Sequence, residues 1–267
     1  MRAYRVAYDG RPYNGFQRQP DVPTVEGELL DGLARLGVGD GRSDPPPGYA
    51  AAGRTDAGVS AVAQTVAFDA PDWLSAAAFN SELPGDVRAW ASAAVPEDFH
   101  ATHDAVERAY TYYLHAPGAD DALATEALAA LTGRRDFHNL TPDEEGTVRE
   151  LEGDLNRDGD FLVVELRAGG FARQLVRRVV GLLADICRGD APRSKIDRVL
   201  APEPLSGPEG VAPAPAYPLV LTDVTYPGVT FEPDTEAVGS ARDVFADLRS
   251  ERRTAARVAG HVLDGLD

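Results

Sequence analysis

The sequence has very little cysteine and lysine, and it lacks any long hydrophobic run. No window of about twenty consecutive apolar residues occurs, which excludes a transmembrane helix. The opening stretch, MRAYRVAYDG, is too polar for a signal peptide, so we expect a cytoplasmic protein without a membrane partner. The single cysteine, Cys187, excludes an internal disulfide and a four-cysteine zinc site, and it fits a reducing compartment.

Candidate metal ligands are also scarce. Among the five histidines only His100 and His103 stand close together, and two solvated histidines in a loop are the simpler interpretation of that pair. The other three histidines show no ligand spacing. We therefore predict no metal site.

The charge of the chain is strongly negative. It has 43 acidic residues against 26 basic ones, a net charge of −17, and Lys195 is the only lysine. Such a balance argues against general nucleic-acid binding, because phosphate affinity comes mostly from charge neutralisation. The arginines are nevertheless grouped: residues 1–20 carry four against one aspartate, and residues 169–193 carry five against two.

An acidic, lysine-poor surface also suits a salt-rich cytosol. At molar salt the screening length falls to about 3 Å, so a dense negative charge no longer opposes folding. Salt adaptation is therefore our hypothesis for this composition.

Periodic patterns predict a chain of the α+β class. Strand-like stretches occupy 2–8, 59–68, 87–95, 107–115, 148–155, 161–168 and 217–226. Helical spacing follows the N-cap candidate Thr24 and recurs at 71–80, 120–131, 171–187, 194–200 and from about Ser240 onward.

These elements repeat one strand–helix–strand plan in two similar halves. We expect two RRM-like α/β halves that share a mostly antiparallel sheet, with a cleft where they meet. The predicted boundaries are 1–103 for the first half, 104–227 for the second half and 228–267 for an acidic helical tail.

The segment AAGRTDAGVSAVAQTVAF (51–68) places Arg54 and Asp56 between two glycines, in a stretch without other charges. A tight surface turn with a local ion pair is the simplest interpretation. Two features favour chemistry instead. The turn lies between apolar runs, which predicts a loop at a sheet end facing a crevice. An opposite charge within about 4–6 Å also keeps a carboxylate ionised, as a nucleophile requires.

The same turn, GRTDAGVSA (53–61), resembles the catalytic motif of the tRNA pseudouridine synthase A family. Other stretches resemble motifs of that family in the family's order: YDGRPYNGFQRQ (8–19), NSELPGDV (80–87), VPEDFHA (95–101), RAYTYYL (108–114) and FARQLVRRVVGLL (171–183). The resemblance runs from residue 4 to about residue 227. It departs from the common pattern at Phe16, Ser60 and Pro218, where many members have tryptophan, histidine and glycine.

The resemblance implies a pseudouridine synthase fold and a homodimeric enzyme that uses no cofactor. Such enzymes convert uridine to pseudouridine in the tRNA anticodon stem-loop, around nucleotides 38 to 40. By position, Asp56 takes the nucleophile role, and Arg54 takes that of the arginine that helps to extrude the target base. Tyr110 takes the place of the tyrosine that packs on the uracil, and Arg177 that of the basic residue paired with the aspartate.

Three further arginines are candidate RNA contacts. Arg18 lies on a turn after an aromatic residue, and a phosphate contact and a solvated charge are equally good interpretations there. Arg173 and Arg178, in the basic 169–193 stretch, either contact phosphates or are solvated charges on a helix face.

Two alternative functions remain open from the sequence. A catalytically silent RNA-binding module of the same fold would have no use for the set Arg54, Asp56, Tyr110 and Arg177. A glycoside hydrolase normally needs two carboxylates that flank one bond, and the motifs contain no second acid beside Asp56.

Overall fold

The computed structural model describes residues 1–205 and 207–266. Its strands are β1 (Arg2–Tyr8), β2 (Ala50–Ala51), β3 (Ser60–Phe68), β4 (Val87–Ala94), β5 (Glu107–His115), β6 (Gly133–Asp136), β7 (Val148–Asp158), β8 (Phe161–Ala168), β9 (Leu219–Thr225) and β10 (Glu232–Pro233). Its α-helices are α1 (Val25–Arg35), α2 (Ala76–Asn80), α3 (Asp121–Leu131), α4 (Leu175–Arg188), α5 (Lys195–Val199) and α6 (Thr235–Asp264). Short 3₁₀ helices cover His138–Leu140 and Gly207–Glu209.

One sheet runs through the whole molecule in the order β10-β4-β1-β3-β9-β5-β8-β7-β6, with β2 paired to β3. In the first half β1 pairs antiparallel with β3 and β4, and in the second half β5 pairs antiparallel with β8 and β9. The strand order β4-β1-β3 of the first half therefore recurs as β9-β5-β8 in the second half. Their junction is a short parallel pairing in which Ser60 lies opposite Val220 and Ala61 opposite Leu221. The predicted α+β class and mostly antiparallel sheet are confirmed.

Two hydrophobic clusters pack on the sheet, and each includes at least one residue from the other half of the chain. The first contains Tyr4, Phe68 and Phe79, whose rings contact each other with centroids 5.2 to 6.3 Å apart. Leu221 of β9 belongs to this first cluster, although it lies far along the chain. Val59, just before β3, belongs to the second cluster. The boundaries 1–103 and 104–227 remain a prediction, but the packing links both sides of them.

Helix α1 follows directly from its sequence. The Thr24 hydroxyl accepts a hydrogen bond from the Gly27 amide at 3.2 Å, which satisfies one free donor of the first turn. Val25, Leu29 and Leu33 are buried, as their helical spacing predicts.

Three helices begin at least four residues from their predicted starts. Helix α2 begins at Ala76 and not at residue 71, because Ser75 is its N-cap and the residues before it form turns. Helix α4 begins at Leu175 and not at 171, because Gln174 has a left-handed φ of 61°. Helix α6 begins at Thr235 and not near Ser240, because the Asp234 carboxylate accepts two amide hydrogen bonds at its start.

Among the helices within residues 1–205 and 207–266, none has the length and apolar character needed to span a membrane.

Candidate active site

The loop from residue 52 to 59, called here the Asp56 loop, joins β2 to β3 and is fixed by contacts from its flanks. The buried Thr55 hydroxyl lies 2.8 Å from the Tyr8 hydroxyl, and the Thr55 carbonyl accepts the Phe16 amide at 3.0 Å. The fully buried Gln64 side chain donates to the Gly53 carbonyl at 2.9 Å. Asp56 is thus held between anchored neighbours.

Two glycines allow the loop at 9–15 to press against the Asp56 loop. A Cβ atom on Gly10 would lie 2.0 Å from the Val59 carbonyl oxygen, which no side chain allows. Gly15 has a φ of +97°, and a Cβ there would lie 3.0 Å from the Thr55 carbonyl oxygen. The YDGRPYNG stretch therefore supports the Asp56 loop by close backbone approach.

The Asp56 carboxylate forms an ion pair with Arg177 of α4. The distance from Arg177 Nη1 to Asp56 Oδ2 is 2.7 Å, and the two side chains are 16% and 32% exposed. Arg177 Nε also donates to the Ala214 carbonyl at 2.8 Å, and the Ala214 amide donates to the Arg177 carbonyl at 2.9 Å. The guanidinium is therefore aimed from two sides, and it orients the carboxylate.

Glycine at position 181 brings the segment 211–214 against α4. A Cβ on Gly181 would lie 2.4 Å from the Ala212 carbonyl oxygen, a backbone atom that cannot move aside easily. Gly181 therefore allows the approach that places the Ala214 carbonyl beside Arg177.

Tyr110 lies on β5, half-buried, and packs on both hydrophobic clusters. Its ring meets Phe171 edge to face with centroids 5.1 Å apart. Burial raises the pKa of Tyr110 to about 12, with Arg108 lowering it and the Asp56 charge raising it. Its phenol is therefore protonated at neutral pH.

A cleft of about 1120 Å³ lies where the two halves meet. It brings together six of the seven predicted site residues, namely Asp56, Arg54, Tyr110, Arg177, Arg18 and Arg173. Arg178 does not line it. The guanidinium of Arg178 instead donates to the Val211 carbonyl at 2.6 Å and to the Gln174 side chain at 3.2 Å.

Arg54 and Asp56 do not form the local ion pair suggested by their spacing. Arg54 is exposed and makes no hydrogen bond or ion pair with any residue that the structure describes. Asp56 pairs with Arg177, which is 121 positions away. Arg54 is therefore a cleft arginine whose guanidinium is available to a ligand.

Arg18 and Arg173 line the cleft in different states. The Arg173 side chain is 61% exposed and pairs with Asp143 at 3.2 Å. Arg18 is half-buried, its backbone amide donates to Glu26 at 2.8 Å, and its Nη1 atom is buried without a partner among the described residues. Their role in RNA binding remains a prediction.

Arg108 lines the cleft and was not among the predicted site residues. Its guanidinium donates to four backbone carbonyls, those of Ala52, Thr102, Ala105 and Gly169, at 2.6 to 3.0 Å. Burial lowers its pKa from the usual value. Arg108 thus ties the start of the Asp56 loop to β5. Its position at the start of the RAYTYYL stretch (108–114), which resembles a family motif, could have indicated such a role.

Comparisons with known proteins agree with this site. A family profile described as tRNA pseudouridine synthase matches residues 127–227. The tRNA pseudouridine synthase A of Haloarcula marismortui is 64% identical over 275 residues, covering 100% of both chains. That of Natronomonas pharaonis is 59% identical over 264 residues, covering 97% of this chain and 98% of the other. The chain belongs to the tRNA pseudouridine synthase A family. The predicted enzyme class, a pseudouridine-forming isomerase, is confirmed.

Among solved structures, a Cbf5-Nop10-Gar1 complex is similar over 67% of this chain and 54% of the other, with 11% identity. The TM-score of this match is 0.32.

Proposed function

We propose that this enzyme isomerises uridine to pseudouridine in tRNA, in the anticodon stem-loop around nucleotides 38 to 40, with Asp56 as the nucleophile. One observation carries the proposal. The Asp56 carboxylate is part of a cleft between the two halves, and the Arg177 guanidinium fixes it at 2.7 Å. The names of the relatives support tRNA as the substrate.

The target base must leave its stack before a carboxylate reaches the ribose, at a cost of a few kcal/mol. Arg54 is exposed on the cleft side of the Asp56 loop and is free of partners among the described residues. A planar guanidinium fills a vacated stack and binds phosphate in the same position. We therefore assign the extrusion of the base to Arg54.

The chemistry exchanges one bond to the sugar for another. The N1–C1′ bond breaks, the uracil turns over, a C5–C1′ bond forms, C5 releases its proton and N1 gains one. Attack of Asp56 at C1′ would divide this exchange into two easier displacements. Arg177 orients the attacking oxygen through their hydrogen bond.

Tyr110 is better suited to stack on the base than to accept a proton from it. Because its pKa is raised to about 12, phenolate is almost absent at neutral pH. The Phe171 ring, which lies perpendicular to the Tyr110 ring at a centroid distance of 5.1 Å, holds it in place. We therefore propose that Tyr110 packs on the uracil, as aromatic side chains do with single bases.

Homodimer formation remains a prediction from the family resemblance, and a cytoplasmic location remains a prediction from the polar opening stretch and the single cysteine. The absence of a cofactor also remains a prediction from that resemblance. The isomerisation adds and removes no atoms or electrons overall, so it does not require a cofactor.

The decisive measurement is tritium release from tRNA labelled at C5 of uridine, because only turnover frees that proton. We expect Asp56→Asn to lower kcat on the order of 10⁴-fold or more while tRNA affinity and the melting temperature change little. A partly exposed ion pair such as Asp56–Arg177 contributes about 1 kcal/mol to stability. Asp143→Asn is the matched control, since it removes another cleft carboxylate that pairs with an arginine.

Turnover by Asp56→Asn would refute the nucleophile assignment. A wild-type protein that binds tRNA and releases no tritium would instead support the silent RNA-binding module. Mapping of pseudouridine in one tRNA transcript, before and after incubation, tests the positions around nucleotides 38 to 40.

A further inference from the structure

The C-terminal helix α6 carries four arginines on one face. Arg242, Arg249, Arg253 and Arg257 are spaced by seven, four and four residues. At 3.6 residues per turn their side chains fall within an arc of about 80° around the helix. We call this face the arginine ridge. It spans about 22 Å along the helix axis at a rise of 1.5 Å per residue.

The ridge has no countercharge within the described structure. All four arginines are exposed, and none forms an ion pair or a side-chain hydrogen bond with a described residue. The acidic residues of this helix section, Asp243, Asp247 and Glu251, project from a different side of the helix. The fifth arginine, Arg252, is the one that pairs, at 3.2 Å from Asp9.

This arrangement is unfavourable for an isolated helix. Arg249 and Arg253, and likewise Arg253 and Arg257, are like charges at i and i+4, and each such pair destabilises a helix by about 0.2–0.5 kcal/mol. The stretch 249–261 has four arginines and one glutamate, in a chain whose net charge is −17. A polyanionic ligand would compensate for this local excess of positive charge.

The course of α6 leads the ridge toward the Asp56 loop. The helix starts beside β4, where the Asp234 amide donates to the Trp90 carbonyl at 3.0 Å. It then reaches Asp9, which directly follows β1 and whose amide donates to the Asp86 carbonyl just before β4. That is the end of the sheet where β1 ends and the Asp56 loop enters β3.

Beyond Arg252 the helix continues for twelve residues, about 18 Å, and almost every residue is exposed. The distal half of α6 therefore extends past the end of the sheet that carries the site. Arg253 and Arg257 lie on this projecting section.

We propose that the arginine ridge binds the phosphate backbone of tRNA outside the nucleotides held in the cleft. The proposal rests on the proposed tRNA substrate. Guanidinium groups bind phosphate with two parallel hydrogen bonds, and such backbone contacts set affinity and register without reading sequence. A second copy of the chain fits the ridge less well, because its arc between 242 and 260 holds only arginine, alanine and glycine, and protein interfaces bury apolar centres.

The test compares three triple variants for binding to full-length tRNA over a series of KCl concentrations. The first, Arg249→Gln, Arg253→Gln and Arg257→Gln, removes the distal ridge. The second replaces the same arginines by lysine and keeps the charge. The third, Asp243→Asn, Asp247→Asn and Glu251→Gln, changes the same number of charges on the acidic side of α6. Circular dichroism checks that α6 remains helical.

We expect the glutamine variant to bind tRNA on the order of tenfold more weakly, with a salt slope smaller by about two. Its kcat at saturating tRNA should equal that of the wild type, because the cleft is intact. The lysine variant should retain most of the affinity, and the acidic-side variant should lose none. An isolated anticodon stem-loop should bind the wild type and the glutamine variant equally.

Unchanged tRNA affinity in the glutamine variant would overturn the inference. An equal loss of affinity for the isolated stem-loop would overturn it as well. So would a lower sedimentation coefficient of the glutamine variant than of the wild type in the absence of tRNA, because the ridge would then hold a second copy of the chain. If the wild type turns over tRNA in any of these cases, the proposed function stands and only the role of the ridge fails. A wild type that neither binds nor modifies tRNA refutes both.

Discussion

At the scale of single residues, the site depends on orientation more than on stabilisation. The Asp56–Arg177 pair is partly exposed, so its contribution to folding is at most about 1 kcal/mol. Its geometry is nevertheless fixed at both ends, by the Ala214 carbonyl behind Arg177 and by the buried Thr55 beside Asp56. A carboxylate held in this way needs no reorientation for the attack on ribose proposed above.

Arg54→Ala should lower turnover on folded tRNA without lowering the stability of the protein. The side chain is exposed and unpaired within the described structure, so its removal should change the free energy of unfolding by less than about 0.5 kcal/mol. Extrusion of the base should become harder, which lowers kcat/KM on the order of 10²-fold. Tritium release and thermal melting measure the two effects. Unaltered kinetics would contradict the extrusion role, and Arg193→Ala, an exposed arginine outside the cleft lining, is the control.

The residues of the site differ in how far the sequence could reveal them. Asp56, Tyr110 and Arg177 lie in motifs that resemble family patterns, and the cleft brings them together. The sequence could not predict the distances between these residues, because the Asp56–Arg177 contact joins elements from different halves. The local charge pattern pointed to Arg54 as the partner of Asp56, whereas the family resemblance pointed to Arg177, and the contact that the structure shows is the one with Arg177. Arg108 was missed because its four partners are backbone carbonyls, which the residue types do not specify.

At the scale of elements, the strands were the most predictable part of the fold. The limits of β1 and β5 agree with the predicted ones, because each is a short β-branched or aromatic run bounded by polar residues. The start of α4 was not predictable from helical spacing, since it depends on the left-handed backbone of Gln174. Strands β6 and β10 were missed because their residues are mostly charged or too few to show a period.

Replacing a helical glycine by alanine should have opposite effects in α4 and α6. Gly239→Ala in α6 meets no atom within 4 Å, so it should stabilise the fold by up to about 1 kcal/mol. Gly181→Ala places a methyl group 2.4 Å from the Ala212 carbonyl oxygen. It should destabilise by about 1–3 kcal/mol and lower kcat by displacing the segment that holds Arg177.

Denaturant unfolding in constant KCl measures both glycine variants, and tritium release measures the effect on kcat. Stabilisation by Gly181→Ala, equal to that by Gly239→Ala, would show that the segment 211–214 is free to retreat from α4.

At the scale of the whole molecule, we expect the negative charge to make folding depend on the salt concentration. The net charge is −17, and the relatives named above come from halophilic archaea. We expect native structure to be lost as KCl falls well below about 1 M. The screening length then grows beyond about 3 Å, so that the acidic side chains repel one another more strongly. Tryptophan fluorescence across a KCl series tests this expectation. A cooperative melt at the same temperature in dilute buffer would exclude salt adaptation.

The second prediction at this scale concerns alkaline pH. Burial raises the pKa of seven of the nine tyrosines, and for Tyr4, Tyr110, Tyr112 and Tyr226 the raised value is about 12; the others are Tyr8, Tyr13 and Tyr49. The unfolded chain releases these protons near pH 10, while the folded chain keeps them. Stability is therefore complete below pH 10 and decreases as the pH rises toward 12.

Melting temperature and phenolate absorbance measure this loss together, and the single lysine adds almost no competing titration. Ionisation of most tyrosines near pH 10 in a protein that is still folded would contradict the prediction.

The position of β9 has a consequence for the biogenesis of the enzyme. The beginning of β3, directly after the Asp56 loop, has β9 as its neighbour on the side away from β1, at Val220 and Leu221. A nascent chain that leaves the ribosome therefore carries the Asp56 loop next to an uncovered strand edge until more than four fifths of the polypeptide has been synthesised. Ribosome stalling or proteolysis before that point leaves a fragment with an open edge that invites aggregation.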